Sequence, residues 1–395
     1  MAGGVLVHEW LARTGGSENV FDAMVEAFPS ADLLCLWSDV ADRYPGRTFR
    51  ETAIGRSPLR GRKAAMLPVL PIAWRRQPGS YDWALVSSHL FAHHVSFRGS
   101  PASFEKYVYV HSPARYLWEP TMDTRGASPL VRGAALPLRM IDRARAREIT
   151  RTASNSSFVR DRVRRAWGID SEVIYPPVEV ERIASVERWE DRLLPLEMSV
   201  LAGLPKDFVL GASRFVPYKA LDLVIRAGEY SGLPVVLAGD GPDMPRLRAI
   251  AETANVPVYF VGRVSDEMLY ALYQRTTVYV FPAIEDFGIM PVEAMAAGAP
   301  VVCGRLGGVT ESVIDGLTGS HVDFQDCVSV RAGMRAAEGL RGATISQSAA
   351  RFDRSEFTRR IRVFARVEPS PTNDGTHTAV AEQPSASRAV RRDDR

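Results

Sequence analysis

The chain has 395 residues, 46% hydrophobic and 24% charged, with a formal net charge of +3. That length suggests two domains, each able to bury a full core, and excludes a small disulfide-stapled scaffold. The near-balanced charge excludes any argument from global electrostatics. The three scattered cysteines, Cys35, Cys303 and Cys327, show no metal-ligand spacing and no disulfide framework.

In chain order the pattern is strand, helix, strand throughout. The opening "MAGGVLVHEWL" lacks the charged start and long apolar run of a signal peptide. No stretch approaches the roughly 18 apolar residues a membrane span needs, and the lone cysteines, without a disulfide framework, suit a reducing cytoplasm. "VLVHEW" reads as a strand, "RTGGSE" as a Gly-rich loop and "ENVFDAMVEAFP" as a helix. "ADLLCLW", "WALVSSH" and "KYVYVHS" are short apolar strands. "PLRMIDRARAREITR" and "SSFVRDRVRRAWG" have helical spacing, and "EVIYPPV" is a strand stopped by two prolines. The charged stretch from Glu179 to Pro205 reads as a loose interdomain linker. A second series follows, with strands "FVLGAS", "PVVLAG", "VYFVG", "TVYVFPA" and "VVCG" alternating with helices. Two such series predict two doubly wound α/β domains facing a cleft. After Val367 the chain has no Leu, Ile, Met or aromatic residue and is expected to stay disordered.

The chemistry concentrates in the second series. Arg214 and Lys219 follow the strand "FVLGAS"; a guanidinium fork and an ammonium at a strand's carboxyl end suit a diphosphate. "LAGDGP" places Gly239 in a tight turn. It lacks the third glycine of a dinucleotide fingerprint, which disfavours a nicotinamide cofactor. In "FPAIEDFGIMPVEAMAAGAPVV" an acid, Glu285, stands in the loop after a strand and another, Glu293, one turn into the next helix. Pro291 suits that helix's first turn, and Gly288 permits close approach of backbone to a ligand. Ligands of open parallel sheets sit at this end of the strands.

Taken together, Arg214, Lys219, "AGDGP", "VGRVSDEML", the Glu285–Glu293 block and "GGVTESVIDGLTG" resemble the retaining glycosyltransferases of family 4, over about residues 4–366. "VHEWL", "GGSE" and "YVHSPARYLWE" look most like the mannosyltransferase branch that builds bacterial O-antigen and other surface polysaccharides. The resemblance implies a GT-B fold of two Rossmann-like domains: 1–185 for the acceptor, a linker over 186–205, 206–350 for the nucleotide sugar, a C-terminal helix over 351–367 that can return to the first domain, and a tail over 368–395. It implies a metal-independent hexosyltransferase with no cofactor, GDP-mannose as favoured donor, and a glycan or polyprenyl-linked acceptor. Glu293 would hold the donor ribose. Glu285, with backbone N–H groups near Phe287, Gly288 and Ile289, would hold the donor sugar. Arg214 and Lys219 would neutralise the leaving diphosphate. Gly239 joins the donor-binding set, Gly15 and Gly16 would close over the phosphates, and His111 matches the family's active-site histidine.

His89, His93 and His94 suit either an acceptor site or packing, and His8 an ordering role beside the Gly-rich loop. Between Glu51 and Arg165 stand 20 Lys and Arg against 8 Asp and Glu, including "LRGRKAAMLPVLPIAWRR", a composition that suits an anionic membrane surface. No nucleic-acid module is present. An epimerase or pseudo-glycosyl transferase of the same fold, or a non-catalytic sugar-nucleotide scaffold, stays open at this point.

Overall fold

The computed structural model describes residues 3–13, 15–40, 42–119, 129–340 and 342–366. Two separate parallel sheets organise it. The first contains β1 (Gly4–Leu11), β2 (Asp32–Ser38), β3 (Phe49–Glu51), β4 (Trp83–Ser88), β5 (Glu105–Val110), β6 (Arg151–Ser154) and β7 (Glu172–Val173), in the order β3-β2-β1-β4-β5-β6-β7. The second contains β8 (Val209–Ala212), β9 (Val235–Ala238), β10 (Val258–Gly262), β11 (Val278–Phe281), β12 (Val301–Gly304) and β13 (Gly319–Val322), in the order β10-β9-β8-β11-β12-β13. The central strands β1, β2, β4, β8, β9 and β11 are buried on both faces, which is why they are largely continuous apolar runs, whereas the edge strands β3, β7 and β10 are partly exposed. In β1, Val5 and Val7 enter one core with Leu34 and Val108, while Leu6 enters the opposite one with Leu33 and Leu85. The short strands β3, β6 and β13 were not legible from pattern. β6 begins where "ITR" had read as the end of a helix.

In both sheets the order reverses beside the first strand of the domain, at β1/β4 and at β8/β11. Those reversals open a crevice at the strands' carboxyl ends. The loops after β1, β4 and β5 of the first sheet and after β8 and β11 of the second all emerge there.

The linker expectation is corrected. The stretch from Glu179 to Pro205 is mostly short helices, and Val180, Ile183, Trp189, Leu193, Leu201 and Leu204 are buried in the second domain's core. Trp189 alone supplies a large anchor, its ring 4.8 Å from that of Tyr270. The true crossing is far shorter. Ile174 still belongs to the first domain's core and Val178 already to the second's. The chain returns between Phe352, in the second core, and Phe357, in the first. The two crossings hydrogen-bond to each other, Val178 N–H to the Phe352 carbonyl (3.1 Å) and Arg354 N–H to the Val178 carbonyl (3.0 Å). The helix Arg354–Phe364 then packs Phe357, Ile361 and Phe364 against Val20, Phe21 and Met24 of the first domain. The tail expected to be disordered, 368–395, lies outside the described residues, as does His377.

Candidate active site

Four of the expected donor-site side chains come from two neighbouring loops of the second sheet. Arg214 follows β8, is exposed, and donates from Nη2 to the Tyr218 hydroxyl (3.1 Å). Lys219 ends the short 3-10 turn Pro217–Lys219 and pairs with Glu285 in the loop after β11. The carboxylate expected to meet the sugar and the ammonium expected to meet the diphosphate are thus an ion pair. Glu293 lies on the helix Ile289–Ala296, with its carboxyl pushed up to about 7, chiefly by burial and then by the nearby Asp266 carboxylate. Its anion lacks solvation, so hydroxyl donors from a ligand would stabilise it.

The glycines divide into two kinds. Gly288 has φ +94° just before that helix, leaving the N–H groups of its first turn open to a ligand. Gly16, in the first domain, would place a Cβ 3.3 Å from Ile289 Cδ1, so the Gly-rich loop does meet the second domain beside the site. Gly15 adjoins it in extended backbone; its Cβ would meet the Glu18 carboxylate at 2.2 Å. Gly239 has a packing reason: a Cβ there would stand 1.8 Å from the Ser213 carbonyl. Gly308 likewise packs against the Glu285 loop, where a Cβ would meet the Asp286 carbonyl at 2.1 Å. Phe287 is 3% exposed, and its ring sits against Tyr175 and Phe352 at the two domain crossings, which leaves only its backbone to face a donor.

Across the crevice, His111 ends β5. Its Nε2 shares a hydrogen bond with Ser87 Oγ (2.8 Å), which in turn meets His8 Nδ1 (3.0 Å). Burial, and secondarily His89, pushes the His111 imidazole down to about 3. It is therefore neutral at working pH and offers hydrogen bonding rather than charge. Sequence reasoning missed what holds this wall. Glu9, 0% exposed, accepts from the backbone N–H groups of Leu90 (2.9 Å) and Ala92 (2.8 Å), and so fixes the loop carrying His89. Of the two readings open for His93 and His94, the structure shows packing. Both are fully buried on Asp142, whose other oxygen accepts from the indoles of Trp118 (2.8 Å) and Trp167 (2.7 Å). His8–Glu9–His89 and His93–His94–Asp142 are the groupings with metal-ligand proximity among the described residues. Each carboxylate is already engaged by the protein's own donors.

The two walls are tied together by residues outside the expected set. Asp286, next to Glu285, pairs with Arg115 and with Arg162 Nη1 (2.5 Å), both from the first domain. Ser156 Oγ donates to the Asp286 carbonyl, and Glu311 accepts from the N–H groups of Ser157 (2.8 Å) and Phe158 (3.0 Å). Arg115 lies in "YVHSPARYLWE" and Asp286 in "FPAIEDFG", so both were in view, but nothing local pairs them.

Residues 200–340 match the family profile described as glycosyl transferases group 1. Over this domain the chain is similar to the group 1 glycosyltransferases. Two solved structures extend the likeness in fold to nearly the whole chain. An Anabaena protein, Alr3699/HepE, solved with UDP and glucose, aligns with TM-score 0.66 at 17% identity over 93% of this chain and all of its own. Sucrose-phosphate synthase of Thermosynechococcus elongatus aligns with TM-score 0.68 at 18% identity over 92% and 98%. The architecture is GT-B. Among curated proteins, the chain is 32% identical over 188 residues to a GDP-mannose-dependent alpha-(1-6)-phosphatidylinositol monomannoside mannosyltransferase of Mycolicibacterium smegmatis, covering 43% of this chain and 48% of that one. It is 30% identical over 193 residues to a D-inositol 3-phosphate glycosyltransferase of Mycobacterium avium, covering 45% and 44%. The chain thus spans about half the length of the curated relatives it matches.

Proposed function

We propose that the chain transfers a hexose, with mannose favoured, from a nucleotide-diphosphate sugar to a glycan or lipid-linked glycan, in surface polysaccharide or glycolipid assembly. The observation that carries this reading is the Lys219–Glu285 pair between the loops after β8 and β11, with Arg214 on the first of those loops and Glu293 on the helix that follows the second. Glu293 takes the ribose hydroxyls. The incoming donor separates the Lys219–Glu285 pair: the diphosphate takes Lys219 and Arg214, and sugar hydroxyls take Glu285. Negative charge then grows on the leaving diphosphate where two cations already stand, which is where electrostatic stabilisation lowers the barrier. With those cations the step needs no metal and no cofactor. The bond from the anomeric carbon to the diphosphate breaks. The acceptor oxygen bonds the same face of that carbon, and its proton passes to the departing phosphate, so configuration is retained.

GDP-mannose as donor and a lipid-borne acceptor draw support from the name of the Mycolicibacterium relative. No helix among the described residues is long and apolar enough to cross a membrane. We assign any membrane contact to peripheral docking of the first domain on the cytoplasmic face. The deciding experiment is hydrolysis and transfer across GDP-, UDP- and dTDP-sugars, with the product anomer read by NMR. Turnover of GDP-mannose with retention is expected. Failure of every nucleotide sugar to turn over or bind overturns the reading.

A further inference from the structure

We infer that Asp286 is a positioning residue that locks the donor-sugar loop to the acceptor domain through Arg115 and Arg162, so that placing Glu285 and closing the cleft are one event. This rests on the proposed transfer reaction for its kinetic consequences, but not for its structural ones.

The two arginines differ in kind. Arg162, on the helix Ser157–Trp167, is 2% exposed; Nη1 reaches Asp286 at 2.5 Å, while Nε lies 3.6 Å from the Glu119 carboxylate, a longer contact within the first domain itself. Burial disfavours its charge, and Asp286 is the first group to offset that. A buried guanidinium left without its carboxylate is costly, so Arg162 holds Asp286 in place. Arg115 is 33% exposed and feels Glu285 and Tyr218 as well as Asp286. It reaches from the wall four residues beyond His111 to the edge of the donor loop. Around this carboxylate, the Ser156 hydroxyl on the Asp286 carbonyl and the Glu311 carboxylate on the start of the Arg162 helix close the same seam. On the second-domain side, Gly308 backs the loop so closely that a Cβ has no room. The loop is therefore held from both sides, and its first-domain support is charged and directional. A shift of the loop of about 1 Å moves Glu285 relative to the sugar, and misplacement of that size can cost on the order of 10²-fold in rate.

The test uses the full chain with Arg115→Met, Asp286→Asn and Asp286→Glu. Arg115→Met touches only the half-exposed arm, so it reports even where Asp286→Asn destabilises by stranding Arg162. Small-angle scattering without ligand is expected to show a wider interdomain distribution for Arg115→Met and Asp286→Asn, with return toward wild type for Asp286→Glu. Calorimetry with bare GDP is expected to stay within about threefold of wild type, because Glu293 and the cations belong to the second domain. Turnover is expected to fall about tenfold or more, with the Arg115→Met/Asp286→Asn double variant no worse than Asp286→Asn alone, since both remove one coupled element. Unchanged scattering in folded Arg115→Met overturns the inference whatever the enzyme's substrate. Additive losses in the double variant overturn it too. A wild-type chain that neither binds nor turns over nucleotide sugar overturns the proposed function instead, and leaves the scattering result to decide the lock.

Discussion

Lys219 and Glu285 pair with each other. On the proposed mechanism, Lys219→Ala would remove a phosphate ligand, and it also frees Glu285 from its partner. Lys219→Ala and Arg214→Ala should each lower kcat by roughly 10²-fold or more, since each stabilises charge that develops as the diphosphate leaves. Steady-state kinetics of folded variants checks this. Glu293 makes a pH prediction. Its raised pKa means the folded chain binds that proton more tightly than the unfolded chain, so this group's contribution to stability falls as pH rises from the usual carboxylate range through about 7. Ribose hydroxyls donate to the anion, so nucleotide binding should release a proton near pH 6 and tighten between pH 6 and 8. The diphosphate's own titration is shared with Glu293→Gln, so the difference between wild type and variant, read by calorimetry in buffers of different ionisation enthalpy, isolates the residue. Glu285→Gln should spare bare GDP affinity and lose turnover. Equal affinity losses in the two variants would refute this division of roles.

At the scale of elements, the loop from Glu285 to Gly288 is shaped by what lies under it. Gly308 has ordinary helical φ, −66°, and is glycine only because the Asp286 carbonyl lies where a Cβ would go. Gly308→Ala should destabilise by about 1–3 kcal/mol through overpacking, and should also reduce turnover by displacing the loop. Gly298, with φ +84° and open space around it, is the contrast: alanine there meets only backbone strain, about 1–2 kcal/mol, and should leave turnover intact. Denaturant midpoints and rates measured together separate the two. Asp142 shows the same logic in the other domain. Burial opposes its ionisation, yet His93 and His94 outweigh burial and hold it below the usual range. One carboxylate thereby pins two histidines and two indoles.

For the whole molecule, the proposed function makes the basic first domain the surface through which a lipid-borne acceptor would be reached. The fold has already used part of that charge: Arg60 pairs with Glu51 (3.0 Å) and Arg75 with Glu148 (2.7 Å). Arg62 and Arg76 are exposed, in a stretch that also presents Ile72, 75% exposed. Each basic side chain at an anionic membrane is worth about 1 kcal/mol and is screened by salt. The Arg62→Gln/Lys63→Gln/Arg76→Gln variant should therefore leave anionic vesicles in co-sedimentation at low salt, and lose transfer to a lipid-linked acceptor while keeping hydrolysis of soluble donor. A wild-type chain indifferent to anionic vesicles at low salt would remove the membrane from the proposal.

The sequence by itself determined the alternation of strands and helices, the parallel sheets and the position of Glu285 and Glu293, because apolar runs, proline at a helix start and glycine at its end act over a few residues. The strand–loop–helix unit carries both acids within eight positions, so their placement beyond the same strand's carboxyl end was legible. Only the tertiary structure decided which groups share a cleft. Asp286 finds Arg115 across 171 residues and Arg162 across 124, and no local pattern encodes such a pairing. The same holds for the segment read as a linker. Its charges are local and visible, but the burial of Trp189 and Leu201 depends on the surface the second sheet's helices present. The histidines divide on the same ground: His111, just after β5, meets Ser87, while His93 and His94, in the turn after β4, are buried on Asp142, according to what the rest of the fold brings against each.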